Sequence, residues 1–111
     1  MNDGLFIRTL NGELTERRPL WMLRQAGRYL PEYREIRKEH NFESMSLDPA
    51  IAAEVTLQPI ERFGFDAAVI FADIMSPVRA LGVPFRFDPG PVLESPLRTR
   101  ESIRSLPQPA A

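Results

Sequence analysis

The sequence has 111 residues, 43% of them hydrophobic, and a formal net charge of −1 at pH 7, which predicts one folded unit and argues against a disordered tail. A sequence pI near 5.8 argues against a nucleic-acid-binding domain. The absence of cysteine excludes disulfides, thiolate metal sites and cysteine nucleophiles, and a single histidine, His40, cannot form a metal cluster alone.

The first predicted element is a run of large apolar residues from Arg18 to Leu23, which we interpret as a buried strand. The run ends at the polar stretch Arg24 to Arg28, in which Gly27 suits a loop whose backbone lies close to another group. Half of the 14 basic residues lie between Arg17 and Lys38. An arginine cluster in a near-neutral chain indicates a small-anion site, because guanidinium groups bind carboxylates and phosphates through paired hydrogen bonds.

Two helices are predicted next. Pro31 fits the first position of the first helix, where its missing N–H costs nothing, and Asn41 marks its predicted end. The Asp48-Pro49 pair is predicted to cap and begin the second helix, which ends at Gly64. Pro59 is expected to kink this helix or split it in two, because proline removes one bond of the helical ladder.

A second apolar run, Ala67 to Ala72, is uniformly apolar, as expected for a parallel strand covered on both faces, and Asp73 interrupts it. It is far shorter than the ~20 residues that cross a bilayer, and the first residues do not resemble a secretory signal, so we expect a cytoplasmic protein without membrane contact. Val83 to Phe87 alternates like a short strand, the Asp88 to Pro91 cluster predicts a turn, and Thr99 is predicted to cap a final helix.

The order strand, helix, helix, strand predicts an α/β protein with a parallel sheet. A (β/α)8 barrel takes about 250 residues, so most of such a barrel would lie outside this chain. Active sites of parallel sheets lie beyond the carboxyl ends of the strands, where two arginines, an amide and a carboxylate would meet: Arg24, Arg28, Gln25 and Asp73. These residues predict a site for an anionic ligand that also presents N–H donors. For Asp73, a structural ion pair is an equally open interpretation.

Residues Pro19 to Arg28, PLWMLRQAGR, closely resemble the signature P-x-W-x-M-R-Q-A-G-R of uroporphyrinogen decarboxylases. The resemblance continues to Arg34, resumes at Leu57-Gln58-Pro59 and again at Phe71 to Ile74, and covers about Arg18 to Gly82 in register. Leu23 stands where the family usually has methionine, and this apolar exchange leaves the polar part of the motif unchanged.

The resemblance implies that residues 1–111 are the amino-terminal part of a single (β/α)8 TIM-barrel domain. It implies a carboxy-lyase of porphyrin and heme biosynthesis, which converts uroporphyrinogen to coproporphyrinogen by removing the carboxyl groups of four acetate side chains. It further implies that neither a metal nor an organic cofactor is needed and that the full-length enzyme is a homodimer. The fragment alone is expected to be inactive.

The resemblance also assigns roles to residues. The aspartate that matches Asp73 accepts hydrogen bonds from the pyrrole N–H groups, and Asp73 and Arg24 are the expected catalytic residues. The expected substrate-binding residues are Arg24, Gln25, Ala26, Gly27, Arg28, Asp73 and, by a weaker match, Arg37. The proton donor is left open.

Other functions are weighed against this one. A corrinoid- or thiol-dependent methyltransferase of the same superfamily would hold zinc through residues late in its chain, and it is not built around the Arg-Gln-Ala-Gly-Arg stretch. A non-catalytic tetrapyrrole-binding fragment would bind the porphyrinogen without converting it. A structural domain with surface arginines is the remaining alternative, and the motif argues against it.

Overall fold

A computed structural model describes residues 4–107 of the chain. Within that range the elements, in chain order, are α1 (Leu5–Leu10), α2 (Pro31–Glu39), α3 (Phe42–Leu47), α4 (Pro49–Phe63), α5 (Ser76–Ala80), β1 (Phe85–Phe87), β2 (Pro91–Leu93) and α6 (Arg100–Arg104). The chain divides into two compact units, of which the first ends at Ala72 and the second begins at Asp73. None of the helices in the described range combines the length and the apolar character that crossing a membrane requires.

Helix α2 begins at Pro31, as predicted, with an acidic residue in its first turn and two basic residues in its last. It ends at Glu39, so Asn41 lies beyond it and has a different role. The Asn41 side-chain oxygen accepts a hydrogen bond from the Ser44 N–H at 2.8 Å, which caps the start of α3. Asn41 therefore separates two helices where the sequence predicted only the end of one.

Helix α4 begins and ends where the sequence predicted. Asp48 Oδ1 accepts hydrogen bonds from the N–H groups of Ala50 (2.8 Å) and Ile51 (3.2 Å), and Gly64 closes the helix in a left-handed conformation with φ 67°. Of the two outcomes predicted at Pro59, a split does not occur, because α4 runs through this position for 15 residues in all, and a kink stays a prediction. Proline removes one backbone bond, and the fully buried ring of Pro59 contributes packing that holds the helix together.

The core of the first unit lies between α2, α3 and α4. Its buried cluster consists of Leu30, Tyr33, Met45 and Val55. Ala26 and Phe71 pack against this cluster from outside the helices. The Phe71 ring also meets the Tyr33 ring edge to face, with centroids 6.1 Å apart. The helices therefore anchor the two stretches that carry the candidate site.

The two apolar runs predicted as strands form no regular strands in the described chain. We call residues 18–22 the first segment and residues 66–72 the second segment; both are irregular. Phe71 packs against the core, but five other large apolar side chains of these segments are 40–74% exposed: Leu20, Trp21, Met22, Val69 and Ile70. The burial prediction is therefore wrong for this chain. A ladder needs repeated backbone bonds, whereas the segments share one, from the Asp66 N–H to the Leu20 carbonyl at 2.9 Å.

In the second unit, β1 and β2 pair antiparallel, with Phe85 opposite Leu93. The predicted turn lies between them, while β2 itself was not predicted. The predicted cap at Thr99 is confirmed, because its hydroxyl accepts a hydrogen bond from the Ser102 N–H at 3.1 Å and the Ser102 side chain returns a bond to the Thr99 backbone. Short-range turn and cap signals are thus reliable in this part of the chain.

Candidate functional site

Asp66 joins the two segments at their amino-terminal ends. Its carboxylate accepts paired hydrogen bonds from the Arg17 guanidinium, at 2.6 and 2.7 Å, and a third bond from the Leu20 N–H at 2.7 Å. The bonds from Arg17 and then from Leu20 hold the pKa of Asp66 below its usual range, and the same carboxylate raises the pKa of Arg17. Asp66 therefore fixes the alignment of the two segments through its ionised form.

Gln25 joins the same segments at the other end. Its carboxamide oxygen accepts hydrogen bonds from the Trp21 indole N–H and, at 3.1 Å, from the Val69 N–H. Its amide nitrogen donates to the Val69 carbonyl at 3.3 Å and to the Thr56 carbonyl at 3.5 Å. The side chain therefore pairs with both backbone groups of Val69, as a neighbouring strand would, and only 4% of Gln25 is exposed.

Thr56 fastens the second segment to α4. Its buried hydroxyl accepts a hydrogen bond from the Phe71 N–H at 2.8 Å and donates one to the Ala52 carbonyl at 2.7 Å. The segments meet first at Leu20 and Asp66 and then at Gln25 and Val69, so they run parallel. The prediction that the two runs lie side by side in the same direction is confirmed within the first unit.

Arg24 has an unusual backbone. Its φ of 58° lies in the left-handed region, and it is the only non-glycine residue within 4–107 with a positive φ. This conformation costs a non-glycine residue about 1–2 kcal/mol, and such strain persists where the surroundings impose it. The residues on both sides of Arg24 are tied to each other, because the Trp21 indole and the Gln25 carboxamide share a hydrogen bond.

A cavity of about 180 Å³ opens where the two segments end. It is lined by Trp21, Arg24, Gln25 and Ala26 from one side and by residues 69–72 from the other. Arg24 is exposed and is the charged residue of this lining. The cavity can therefore offer a guanidinium group to an anion beside an apolar wall.

Three predicted substrate-binding residues do not line this cavity: Gly27, Arg28 and Arg37. Arg28 is exposed, does not line the cavity, and its carbonyl accepts a hydrogen bond from Arg34 at 2.9 Å. Gly27 has no positive φ, and a Cβ there would make only ordinary contact, 3.7 Å, with the Tyr29 ring. Arg37 is exposed on α2 and donates to the His40 carbonyl at 2.6 Å, beyond the last turn of the helix.

Asp73 begins the second unit, whereas Arg24 and Arg28 belong to the first. The Asp73 Oδ1 atom accepts a hydrogen bond from the Met75 N–H at 3.0 Å, just before α5, and Oδ2 has no hydrogen-bond partner within residues 4–107. The side chain is half-buried. That Asp73 shares a cavity with the two arginines stays a prediction.

Two supporting residues were missed from the sequence, Asp66 and Thr56. Asp66 precedes the second apolar run, and Thr56 is a polar residue beside the buried Val55 of α4. These signals were present, but their partners are distant in sequence, so neither role could be read from spacing. In the described part of the chain, no group of three or more histidine, cysteine, aspartate or glutamate side chains could hold a metal ion.

The chain matches a known protein family over its whole length. A family model described as uroporphyrinogen decarboxylase (URO-D) matches residues 1–111. The chain is 49% identical over 110 residues to the uroporphyrinogen decarboxylase of Salinibacter ruber and 46% identical over 108 residues to that of Carboxydothermus hydrogenoformans. These alignments cover 97% and 96% of this chain. The chain spans 31% of the length of each of these two relatives.

Proposed function

The chain belongs to the uroporphyrinogen decarboxylase family, and on that premise we propose that the protein to which it contributes is a carboxy-lyase of porphyrin biosynthesis. The protein removes the carboxyl groups of the four acetate side chains of uroporphyrinogen and yields coproporphyrinogen, without a metal or an organic cofactor. The observation that carries this proposal is that the family match covers all residues of the Arg24 cavity.

We propose that residues 1–111 form the amino-terminal part of a single (β/α)8 barrel domain. The support is the side-by-side, parallel course of the two segments together with the exposure of their apolar side chains, for example 74% for Ile70. Parallel strands of barrels are covered on both faces, so further strands and helices of the same domain would bury these side chains. In this proposal the full-length enzyme is a cytoplasmic homodimer.

Decarboxylation without a cofactor needs an electron sink within the substrate. Protonation of a pyrrole ring carbon makes the ring cationic, so that the electrons of the breaking bond to the carboxylate enter the ring as CO₂ leaves. A second proton then completes the methyl group, and the proton first added to the ring carbon is lost as the aromatic pyrrole is restored. The protein has to bind the remaining carboxylates, and we assign this to Arg24, Arg28 and Arg37, with the backbone of residues 25–27 in the same loop.

Asp73 stabilises the positive charge that develops on the pyrrole ring. An ionised carboxylate that accepts the pyrrole N–H bonds favours the cationic intermediate, and exclusion of water strengthens the effect. The bond from Met75 to Oδ1 orients the carboxylate and leaves Oδ2 available as an acceptor. Arg24 acts through the fixed positive charge of its guanidinium group, which suits it to binding an anion and not to donating a proton.

The test is anaerobic incubation of the full-length protein with uroporphyrinogen, followed by oxidation and chromatographic separation of the porphyrins by their number of carboxyl groups. We expect the eight-carboxyl substrate to be converted to the four-carboxyl product. The 111-residue chain alone serves as the matched sample, and we expect it to form no four-carboxyl product. Retention of all eight carboxyl groups by the full-length protein contradicts the proposal, and bound zinc with methyl transfer would instead support the methyltransferase alternative.

A further inference from the structure

We propose that the Gln25 side chain is a positioning group that acts through Arg24 and does not itself contact the substrate. The inference rests on the proposed function, which places Gln25 within the substrate-binding loop, and it makes that assignment more specific. In this loop the Gln25 side chain holds the backbone conformation, and the neighbouring Arg24 side chain supplies the positive charge.

The Gln25 side chain has no capacity left for a substrate carboxylate. A carboxamide offers two acceptor positions and two donor positions, and all four are used within the first unit. The oxygen serves the Trp21 indole and the Val69 N–H, and the nitrogen serves the carbonyls of Val69 and Thr56. Because two N–H groups donate to the oxygen and two carbonyls accept from the nitrogen, the carboxamide of Gln25 can take only one of its two flipped orientations.

The same residue holds the strained turn at Arg24. Its side chain closes the turn through the bond to Trp21, three residues before Arg24, and its backbone carbonyl accepts a hydrogen bond from the Tyr29 hydroxyl. Its bonds to Val69 tie the turn to the second segment. Both the side chain and the main chain of Gln25 are thus held by hydrogen bonds. In our proposal these bonds hold Arg24 at its φ of 58°.

Loss of these bonds would let Arg24 relax to a negative φ, the ordinary region for a residue with a side chain. The Cα–Cβ bond would then point in another direction, and the guanidinium would leave the lining of the cavity. The Gln25 side chain should therefore affect substrate binding only in a protein that has the Arg24 side chain for it to orient.

The experiment is a double-mutant cycle in the full-length enzyme with Gln25→Met, Arg24→Ala and the combination of both. Methionine matches the length of glutamine and makes none of its hydrogen bonds. We expect Gln25→Met to lower kcat/KM for decarboxylation by roughly tenfold or more, mainly through KM, and to cost less than about threefold when Arg24 is already alanine. A purely structural loss would be equal in both backgrounds, and that result overturns the proposal.

Gln58 supplies the matched control. It is a buried glutamine of α4, 8% exposed, and its Oε1 atom has no hydrogen-bond partner within residues 4–107. Gln58→Met makes the same chemical change without removing a bond to that oxygen, so kcat/KM should be unchanged in both backgrounds. An equal loss in Gln58→Met and Gln25→Met contradicts a specific role for Gln25.

A crystal structure of the full-length Gln25→Met protein gives a readout that does not depend on activity. We expect Arg24 at a negative φ, and Arg24 retained near 58° overturns the proposal even if the wild-type protein proves not to be a decarboxylase. Gln25→Glu is the second variant, since it keeps an acceptor for Trp21 and loses both donors. If neither variant folds, Gln25 is required for folding itself and the positioning role is refuted.

Discussion

Replacement of Thr56 by valine tests how strongly α4 holds the second segment. The Thr56 side chain is buried, and valine fills nearly the same volume but cannot accept the hydrogen bond from the Phe71 N–H. An N–H left without a partner costs about 1–3 kcal/mol, and the half-buried Phe71 places this change in the lower part of that range, about 1–2 kcal/mol. Loss of the bond to the Ala52 carbonyl adds little, because that carbonyl also accepts the backbone bond of the helix.

The assay is amide hydrogen exchange in the full-length protein, followed at a peptide that covers residue 71. A loss of about 1–2 kcal/mol corresponds to opening that is about 5–30 times more frequent. Thr56→Ser keeps the hydroxyl and should retain slow exchange. Thr9→Val is the matched control, since the exposed Thr9 hydroxyl makes an equivalent bond to the Leu5 carbonyl at 2.9 Å, and the change should stay within about 0.5 kcal/mol. Unchanged exchange at residue 71 in Thr56→Val would refute the reasoning.

Three further predictions concern single substitutions in the full-length protein. Asp73→Asn should lower turnover about tenfold or more while the protein still folds normally. The control Asp88→Asn, in the hairpin turn, should leave turnover unchanged. Near-normal turnover in Asp73→Asn would remove Asp73 from the mechanism. Folding lowers the pKa of Asp66, so its contribution to stability is present above the ordinary aspartate pKa of about 3.9 and is lost as the pH falls below that value. In Asp66→Asn the melting temperature should therefore fall less steeply with decreasing pH in this acidic range. The same steepness in Asp66→Asn and in the wild-type protein contradicts this prediction. Gly64→Ala should lower the free energy of unfolding in urea by about 1 kcal/mol because of the φ of 67°. Gly90→Ala should cost much less, because Gly90 has no positive φ and a Cβ there would meet no atom within 4 Å. Equal effects of the two substitutions would exclude backbone strain as the cause.

The helices that were predicted correctly are those whose ends carry local signals. Pro31 and Asp48 act on residues within one turn of themselves, so the sequence alone fixes the starts of α2 and α4. Helices α1 and α3 have six residues each and offer too few turns for a periodic pattern, and both were missed. Pro59 was misjudged because its burial, which offsets the lost bond, depends on packing partners elsewhere in the unit.

The candidate site was predicted only in part. The family motif located Arg24, Gln25 and residues 71–72, which do come together around one cavity. The apolar pattern predicted burial of both segments, but burial is a property of neighbouring elements, and the described chain does not supply enough of them. The left-handed turn at Arg24 was not predicted; in our proposal it depends on bonds of Gln25, and two of these go to residues 31 and 44 positions away.

The pairing of Gln25 with Val69 has a consequence for how this sequence can diverge. In a regular sheet the main chain supplies the hydrogen bonds between the strands, so these bonds do not depend on which side chain occupies a position. Here a side chain does that work, and position 25 tolerates only a group with the reach and the two-sided bonding of glutamine: asparagine is one methylene shorter, glutamate lacks the donors, and lysine lacks the acceptor. Substitutions at position 25 should therefore be tolerated less than substitutions at the exposed apolar positions of the two segments that make no side-chain hydrogen bond.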